Sequence, residues 1–333
     1  MIAAPEYAFV TPAPIFRAGD AVSSPSAVAR ARTLSPVFAL NALGYEAAAF
    51  SLSAADAALP AILRRAKVVV LGEAGAATAP RYRPLLAELA DRAVLDIVRI
   101  PAAADLPAAA ALSAASEHVA DRLRAFHIPD ACAGPAFAPS AARAPRASRI
   151  LRWLGERAGL APEALRIRLL WSGEEEEDAD AIAHAYPALE KLGQRMPLLL
   201  RCVCLQGPAL ESAADRLIEK DPDALRIALE AWSPPAMSAA LAACNLVLLP
   251  SAAGLLGAIY AGRFAIAQPS PYYGPLADFA WIGEDVAEGI AWALAHPEEV
   301  LHRIARGQEY VNRVHAPEIV ARAWIQLFLG MKK

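Results

Sequence analysis

Cysteine, charge and long unbroken apolar runs are all in short supply in this 333-residue chain, and each shortage removes a class of function. The four cysteines, Cys132, Cys202, Cys204 and Cys244, show no paired ligand spacing, and the six histidines are equally scattered, so no metal cage and no cofactor are expected. Cys202 and Cys204 lie two apart in a strand-like segment, which puts both on one strand face as reduced core thiols. Charged residues make up only 20% and sum to −3. Residues 1–150 hold 15 basic and 12 acidic side chains, residues 151–333 hold 17 and 23, and neither half carries the dense basic stripe of a nucleic-acid binder. The uncharged run Leu246 to Gly262 is interrupted by Pro250, Ser251, Gly254 and Gly257, which fits a strand, loop and helix better than a membrane span. Glu6, Pro12, Pro14, Arg17 and Asp20 stand where a secretory leader would be apolar, so the cytoplasm is the expected location; peripheral membrane contact stays open. There is no GxxxxGK[ST] loop, no GxGxxG after a strand and no serine-nucleophile elbow, so kinase, dehydrogenase and hydrolase readings lack their chemistry.

What the chain has is apolar mass in alternating patterns. At 56% hydrophobic residues and this length, two domains of ordinary size are expected. In the first half, strand-like segments at Tyr7 to Val10, Tyr45 to Ser51, Lys67 to Leu71 and Ala93 to Val98 alternate with helical ones at Ala27 to Leu43 and Pro84 to Arg92. Pro135 to Ser148, rich in Pro, Ala and Arg and without a period, reads as a linker. Beyond it, strands at Leu165 to Trp171, Pro197 to Leu205, Ala224 to Ala231, Leu246 to Leu249 and Phe264 to Ala267 alternate with helices, including Ala209 to Glu219. Three helices close the chain. Each half therefore reads as a doubly wound parallel α/β unit. The expected divisions are 1–145, 146–315 and a final helix, 316–333, packing back on the first domain.

Four landmarks of the second half resemble the group-1, GT-B retaining glycosyltransferases of bacteria: "LRIRLLWSG" (165–173), "WSPPAMSAALAACNLVLLPS" (232–251), "AGRFAIAQPSPYYG" (261–274) and the closing helices from Ile290 to Phe328. In the first half "AALSAASEHVADRLRAF" (110–126) followed by "HIPD" is similar to that family's element in which a helix begins at a serine and leads to an Ile-Pro-Asp turn. The resemblance implies two Rossmann-like domains facing a cleft and transfer of a sugar from a nucleotide-sugar donor, held by the second domain, to an acceptor on the first.

Such an enzyme must stabilise a departing nucleoside diphosphate with cations, backbone amides or a helix N-terminus. Gly173, ending a strand before a helix, permits close backbone approach; Arg168, Arg201 and Arg263 are candidate cations. The resemblance places the nucleobase at Trp232, other donor contacts at Ser251 and Gly254, a sugar platform at Tyr272 and Tyr273, and electrostatic help from His118 and His127. Two features depart from the family: the run Glu174 to Asp178 sets five carboxylates after Gly173, and no carboxylate stands between Ser251 and Gly262, where the family keeps an acidic pair. These departures motivate a second reading, a catalytically silent binding or partner protein. A third, a sugar isomerase or epimerase, needs a carboxylate base that the sequence does not single out.

Overall fold

Val68–Leu71, a run of Val and Leu with no polar side chain, can only be satisfied where both of its faces are covered, and all four residues are buried. Tyr7–Thr11 and Ala93–Ile97 are likewise buried throughout, although each carries a polar side chain, Thr11 and Asp96. A computed structural model describes residues 5–18, 21–52, 59–73, 82, 88–98, 109–132, 166–173, 177–204, 223–250 and 254–331. The expected linker at 135–148 and the helix expected at 209–219 lie outside them.

The chain divides into two compact units, Met1–Pro135 with Val311–Lys333, and Ala136–Tyr310. In the first, the strands are β1 (Tyr7–Thr11), β2 (Phe16–Ala18), β3 (Ala21–Ser23), β4 (Ala47–Ser51), β5 (Val68–Leu71), β6 (Ala93–Ile97), β7 (Ala111–Ala114) and β8 (Phe126–His127). Six form a parallel sheet in the order β4-β1-β5-β6-β7-β8, while β2 and β3 pair as a small antiparallel hairpin in a stretch for which the sequence predicts no element. The helices are α1 (Ala27–Ala29), α2 (Ser35–Ala42), α3 (Leu59–Leu63) and α4 (Glu117–Leu123); a π turn, Arg30–Leu34, joins α1 and α2 into one run. Ser26 and Ser116 cap their helices by accepting from Ala29 N and Val119 N.

Strand alternation sorts the first unit's core into two faces. Tyr7, Phe9, Val68, Val70 and Val94 face one way, and Ala8, Val10, Val69, Leu71 and Leu95 the other. The first face is covered by α2 and by the last helix of the chain, Pro317–Gly330, whose Val320, Trp324 and Phe328 are buried there. Phe328 stacks on Tyr7 (4.8 Å) and Trp324 meets Phe9 edge-on (5.2 Å), each pair worth about 0.5–1.5 kcal/mol beyond area burial.

The entry to that helix is pinned by His315, whose backbone carbonyl accepts from Cys132 N (2.8 Å) and whose ring Nδ1 meets the Asp130 carbonyl at 2.8 Å. Burial depresses the His315 pKa below 6.5; the Asp130 contacts oppose this and the charge of His127 adds to it. A depressed pKa means that the neutral ring is the folded form. The stability it contributes is complete above pH 6.5 and is lost as the pH falls through the folded value. Melting of the wild type should therefore shift down between pH 7.5 and 5.5 more steeply than melting of His315→Gln, and parallel curves would refute the assignment.

The second unit contains β9 (Ile167–Gly173), β10 (Leu198–Cys204), β11 (Leu225–Ala231), β12 (Leu246–Leu249), β13 (Phe264–Ala267) and β14 (Trp281–Ile282), all parallel, in the order β11-β10-β9-β12-β13-β14. Its helices are α5 (Glu177–Gly193), α6 (Pro234–Ala243), α7 (Leu255–Tyr260), α8 (Val286–Ala295) and α9 (Pro297–Val314); the final helix of the chain is α10 (Pro317–Gly330). Leu169, Trp171, Leu200, Leu248, Phe264 and Ile266 form one core with Ile182 of α5, Ile290 of α8 and Ile304 of α9. Cys202 and Cys204 face that same core, and burial pushes the Cys202 thiol well above its ordinary value. Among the described residues no helix is long and apolar enough to cross a membrane.

Candidate functional site

A sheet whose chain order reverses leaves a crevice beyond the carboxyl ends of the two strands that flank the reversal, because their outgoing loops turn to opposite faces. In the second unit the first strand, β9, has the second and third on one side and the fourth to sixth on the other. The reversal falls between β9 and β12. Gly173 is the buried last residue of β9, and α5 begins at Glu177. The side chains of the acidic run Glu174 to Asp178 lie outside the described residues, as does Ser251.

Across the gap, β12 ends at Leu249 and α7 follows Gly254, whose φ of 89° is a left-handed value that glycine adopts without strain. No side chain caps α7. Trp232 follows β11 on the same edge, and its backbone N–H donates to the Cys204 carbonyl (2.8 Å). Two strand spacings, about 10 Å, separate β11 from β9, a span suited to a nucleoside with its phosphates. Ser233 caps α6 by accepting from Ala236 N at 3.2 Å, with Pro234 at the first helical position.

The three candidate arginines stand elsewhere. Arg168 is the second residue of β9, at its amino end; five residues at about 3.3 Å each put it roughly 16 Å from Gly173. Asn245 clamps its backbone there, accepting from Arg168 N (2.9 Å) and donating to Arg168 O (2.7 Å). Arg201 is mid-strand in β10 and its Nε donates to Glu230 Oε2 of β11 at 2.7 Å. Arg263 precedes β13, also at the amino edge; it is 1% exposed and donates to the Leu241 (2.7 Å) and Ala242 (3.3 Å) carbonyls that end α6. It is a helix C-cap. None of the three is placed beside Gly173: Arg168 and Arg263 stand at the amino edge of the sheet and Arg201 in mid-strand. Tyr273 is 5% exposed, and burial pushes its hydroxyl up to about 12. Tyr272 is half-buried.

Among the described residues, the segments that leave the carboxyl ends of the second sheet carry no Lys or Arg: Gly173, 232–235, Pro250, 254–257, 268–276 and 283–286. Any anion at this edge meets backbone N–H groups and helix N-termini.

In the first unit the order reverses between β1 and β5. His127 ends β8 in register with Ala114 and is half-buried, while His118 is exposed in the first turn of α4. Close to His127 lies a charge cluster that the sequence did not single out. Asp96 of β6 is fully buried and accepts from Arg32 Nε (3.0 Å), from Arg32 Nη2 and from Ser113 Oγ (2.8 Å). Arg32, in the π turn, also donates to the Ile128 carbonyl and reaches Asp130 at 3.4 Å, with its guanidinium 5.5 Å from the Trp324 ring. Burial alone would weaken the Arg32 charge; Asp96, then Asp130, outweigh it and hold the guanidinium charged. A visible signal existed: Asp96 is the one charge in "AVLDIV", a charge inside an otherwise apolar strand.

Solved structures share this fold. A glycosyltransferase from Rickettsia africae superposes with a TM-score of 0.62 at 12% identity, over 98% of this chain and 99% of that one. The Anabaena protein HepE, solved with UDP and glucose, gives 0.61 at 10% identity over 97% and 99%. The fold is that of the GT-B glycosyltransferases. A putative UDP-N-acetylglucosamine 2-epimerase from Listeria monocytogenes is also similar, with a TM-score of 0.53 at 10% identity over 96% and 94%, so the GT-B fold alone does not fix the reaction. No protein-family model matches the sequence, and no curated protein sequence matches it either.

Proposed function

We propose that the protein is a glycosyltransferase that binds a nucleotide-activated sugar at the carboxyl edge of its second sheet and moves the sugar to an acceptor hydroxyl. The observation that carries this is the position of Gly173 at the β9/β12 reversal, with Trp232 about two strand spacings away on the same edge. A side-chain-free residue lets a diphosphate approach the backbone. The N-terminus of α5, with about half a positive charge, then stabilises the negative charge that grows on the leaving phosphate. Trp232 offers a face for the base, and Tyr272 and the backbone near Gly254 and Ser251 contact the donor sugar. The reaction runs in the cytoplasm.

One observation favours the catalytically silent alternative, a binding or partner protein: the described carboxyl-edge segments lack a cation, and the family's acidic pair is absent. A donor-turnover assay separates the two. UDP-glucose, GDP-mannose and dTDP-glucose are incubated with the protein and with mixed sugar acceptors, and released diphosphate is measured. Release from one donor above the enzyme-free rate is expected; no release from any donor moves the silent reading to first place.

A further inference from the structure

α10 buries Val320, Trp324 and Phe328 against the first sheet, and a helix that has given one face to a core ordinarily turns charge to solvent on the other. α9 does so: Glu298, Glu299, Arg306, Glu309 and Arg313 are all exposed. α10 does not. Its exposed residues are Glu318, Ile319, Arg322, Gln326, Leu329 and Gly330, and Leu329 is 58% exposed. α2, beside it on the same sheet face, contains no charged residue, exposes Phe38 and is followed directly by exposed Leu43. Of the seven large apolar side chains exposed among the described residues, four therefore belong to this pair of helices, which marks a patch rather than scattered exposure.

The outer face of α10 is symmetric about Trp324. Ile319 and Leu329 each stand five residues from it, Arg322 and Gln326 two, and Glu318 and Gly330 six. A second α10 laid antiparallel across a twofold axis at the level of Trp324 therefore sets Ile319 against Leu329 and Arg322 against Gln326, twice each. Apolar meets apolar, the guanidinium meets an amide oxygen that accepts from it, and Gly330 leaves room for Glu318. No like charges face each other, and the antiparallel dipoles set the positive end of each helix beside the negative end of the other.

We propose that the α2/α10 face is the interface of a symmetric dimer, its occupant a second copy of this chain. A membrane surface fits this face less well: an interfacial helix carries a Lys/Arg-rich polar face, whereas α10 exposes one Arg and one Glu and commits its other face to the core. A helix of 14 residues is about 21 Å long, and two helices side by side about 10 Å apart cover on the order of 400 Å² per copy. That is about half of a standard interface, so the dimer is weak, with a dissociation constant on the order of 10 µM.

Sedimentation velocity over a concentration series from about 1 to 200 µM, on the wild type, Ile319→Lys, Leu329→Glu and the double variant, tests this. The wild type should pass from monomer to dimer across the series. Each single variant should dimerise at least roughly tenfold more weakly, because it buries a charge against an apolar side chain. In the double variant the twofold axis sets each lysine against a glutamate of the other copy, so dimerisation should tighten by roughly fivefold or more over either single variant. Both positions are exposed, so the melting temperatures of the dilute variants should stay within about 2 °C of the wild type, which separates a lost interface from misfolding. Flotation with vesicles of phosphatidylcholine and phosphatidylglycerol runs in parallel. A wild type that stays monomeric throughout overturns the proposal, and its flotation would give the face to a membrane instead. Single variants that dimerise like the wild type overturn it by moving the interface elsewhere, and a double variant no tighter than the singles overturns the antiparallel register.

Discussion

Replacing Arg32 by methionine should lower the stability of the first unit by about 3–5 kcal/mol, a fall of roughly 10 °C in its melting temperature. Asp96 has no exposure and would keep only the Ser113 hydroxyl, leaving a carboxylate without its counter-charge inside the sheet. The same substitution unties the Ile128 carbonyl and removes the cation beside Trp324, so the sheet edge and α10 loosen together. Arg32→Lys should lose much of the same stability, because a single ammonium cannot make the forked contact to both Asp96 oxygens while also reaching Ile128. The double variant Arg32→Met/Asp96→Leu should recover most of the loss, since an apolar pair no longer buries a charge. Chemical denaturation of the wild type, Arg32→Met, Arg32→Lys, Asp96→Leu and the double variant checks this; a double variant as unstable as the sum of Arg32→Met and Asp96→Leu would show that the pair is not coupled.

Gly173→Val should weaken nucleotide binding by more than roughly a hundredfold, about 2.7 kcal/mol, while the protein stays folded. A branched side chain at the end of β9 fills the space through which a diphosphate reaches the backbone and the N-terminus of α5. The three arginines provide the contrast. Arg168 and Arg263 lie at the amino edge and Arg201 is committed to Glu230, so Arg168→Met and Arg201→Met should leave nucleotide affinity within about twofold. Arg263→Met should cost stability through the lost cap of α6, with unchanged affinity in the folded protein. Calorimetric titration of UDP into the set measures it; an arginine variant that loses binding while Gly173→Val keeps it would invert the assignment.

The strands were legible because parallel strands buried on both faces must be continuous apolar runs, as in "VVVL" at 68–71 and "LVLL" at 246–249. The caps Ser116 and Ser233 were not singled out, although a serine before a helical stretch satisfies an N–H that would otherwise lack a partner. The β2/β3 hairpin was not legible, because three-residue strands are too short to show a period. Residue type was overvalued against position. Counting along β9 marks Gly173 as its last residue and would equally have put Arg168 at the far end, and Arg263 is seen to precede its strand by the same count. The burial of Tyr273 beside half-buried Tyr272 and the pairing of Arg32 with Asp96, 64 residues apart, depend on tertiary packing that no local pattern encodes.

If the protein is the proposed transferase, a nucleotide is held by backbone at the carboxyl edge of its second sheet. Backbone amide NMR during a titration with UDP, GDP and dTDP tests it most directly. With one of these nucleotides the largest shifts should fall on Gly173, Trp232 and Gly254, and the amides of Arg168 and Arg263 at the amino edge should stay unmoved. Shifts confined to the amino edge, or none with any nucleotide, would contradict it.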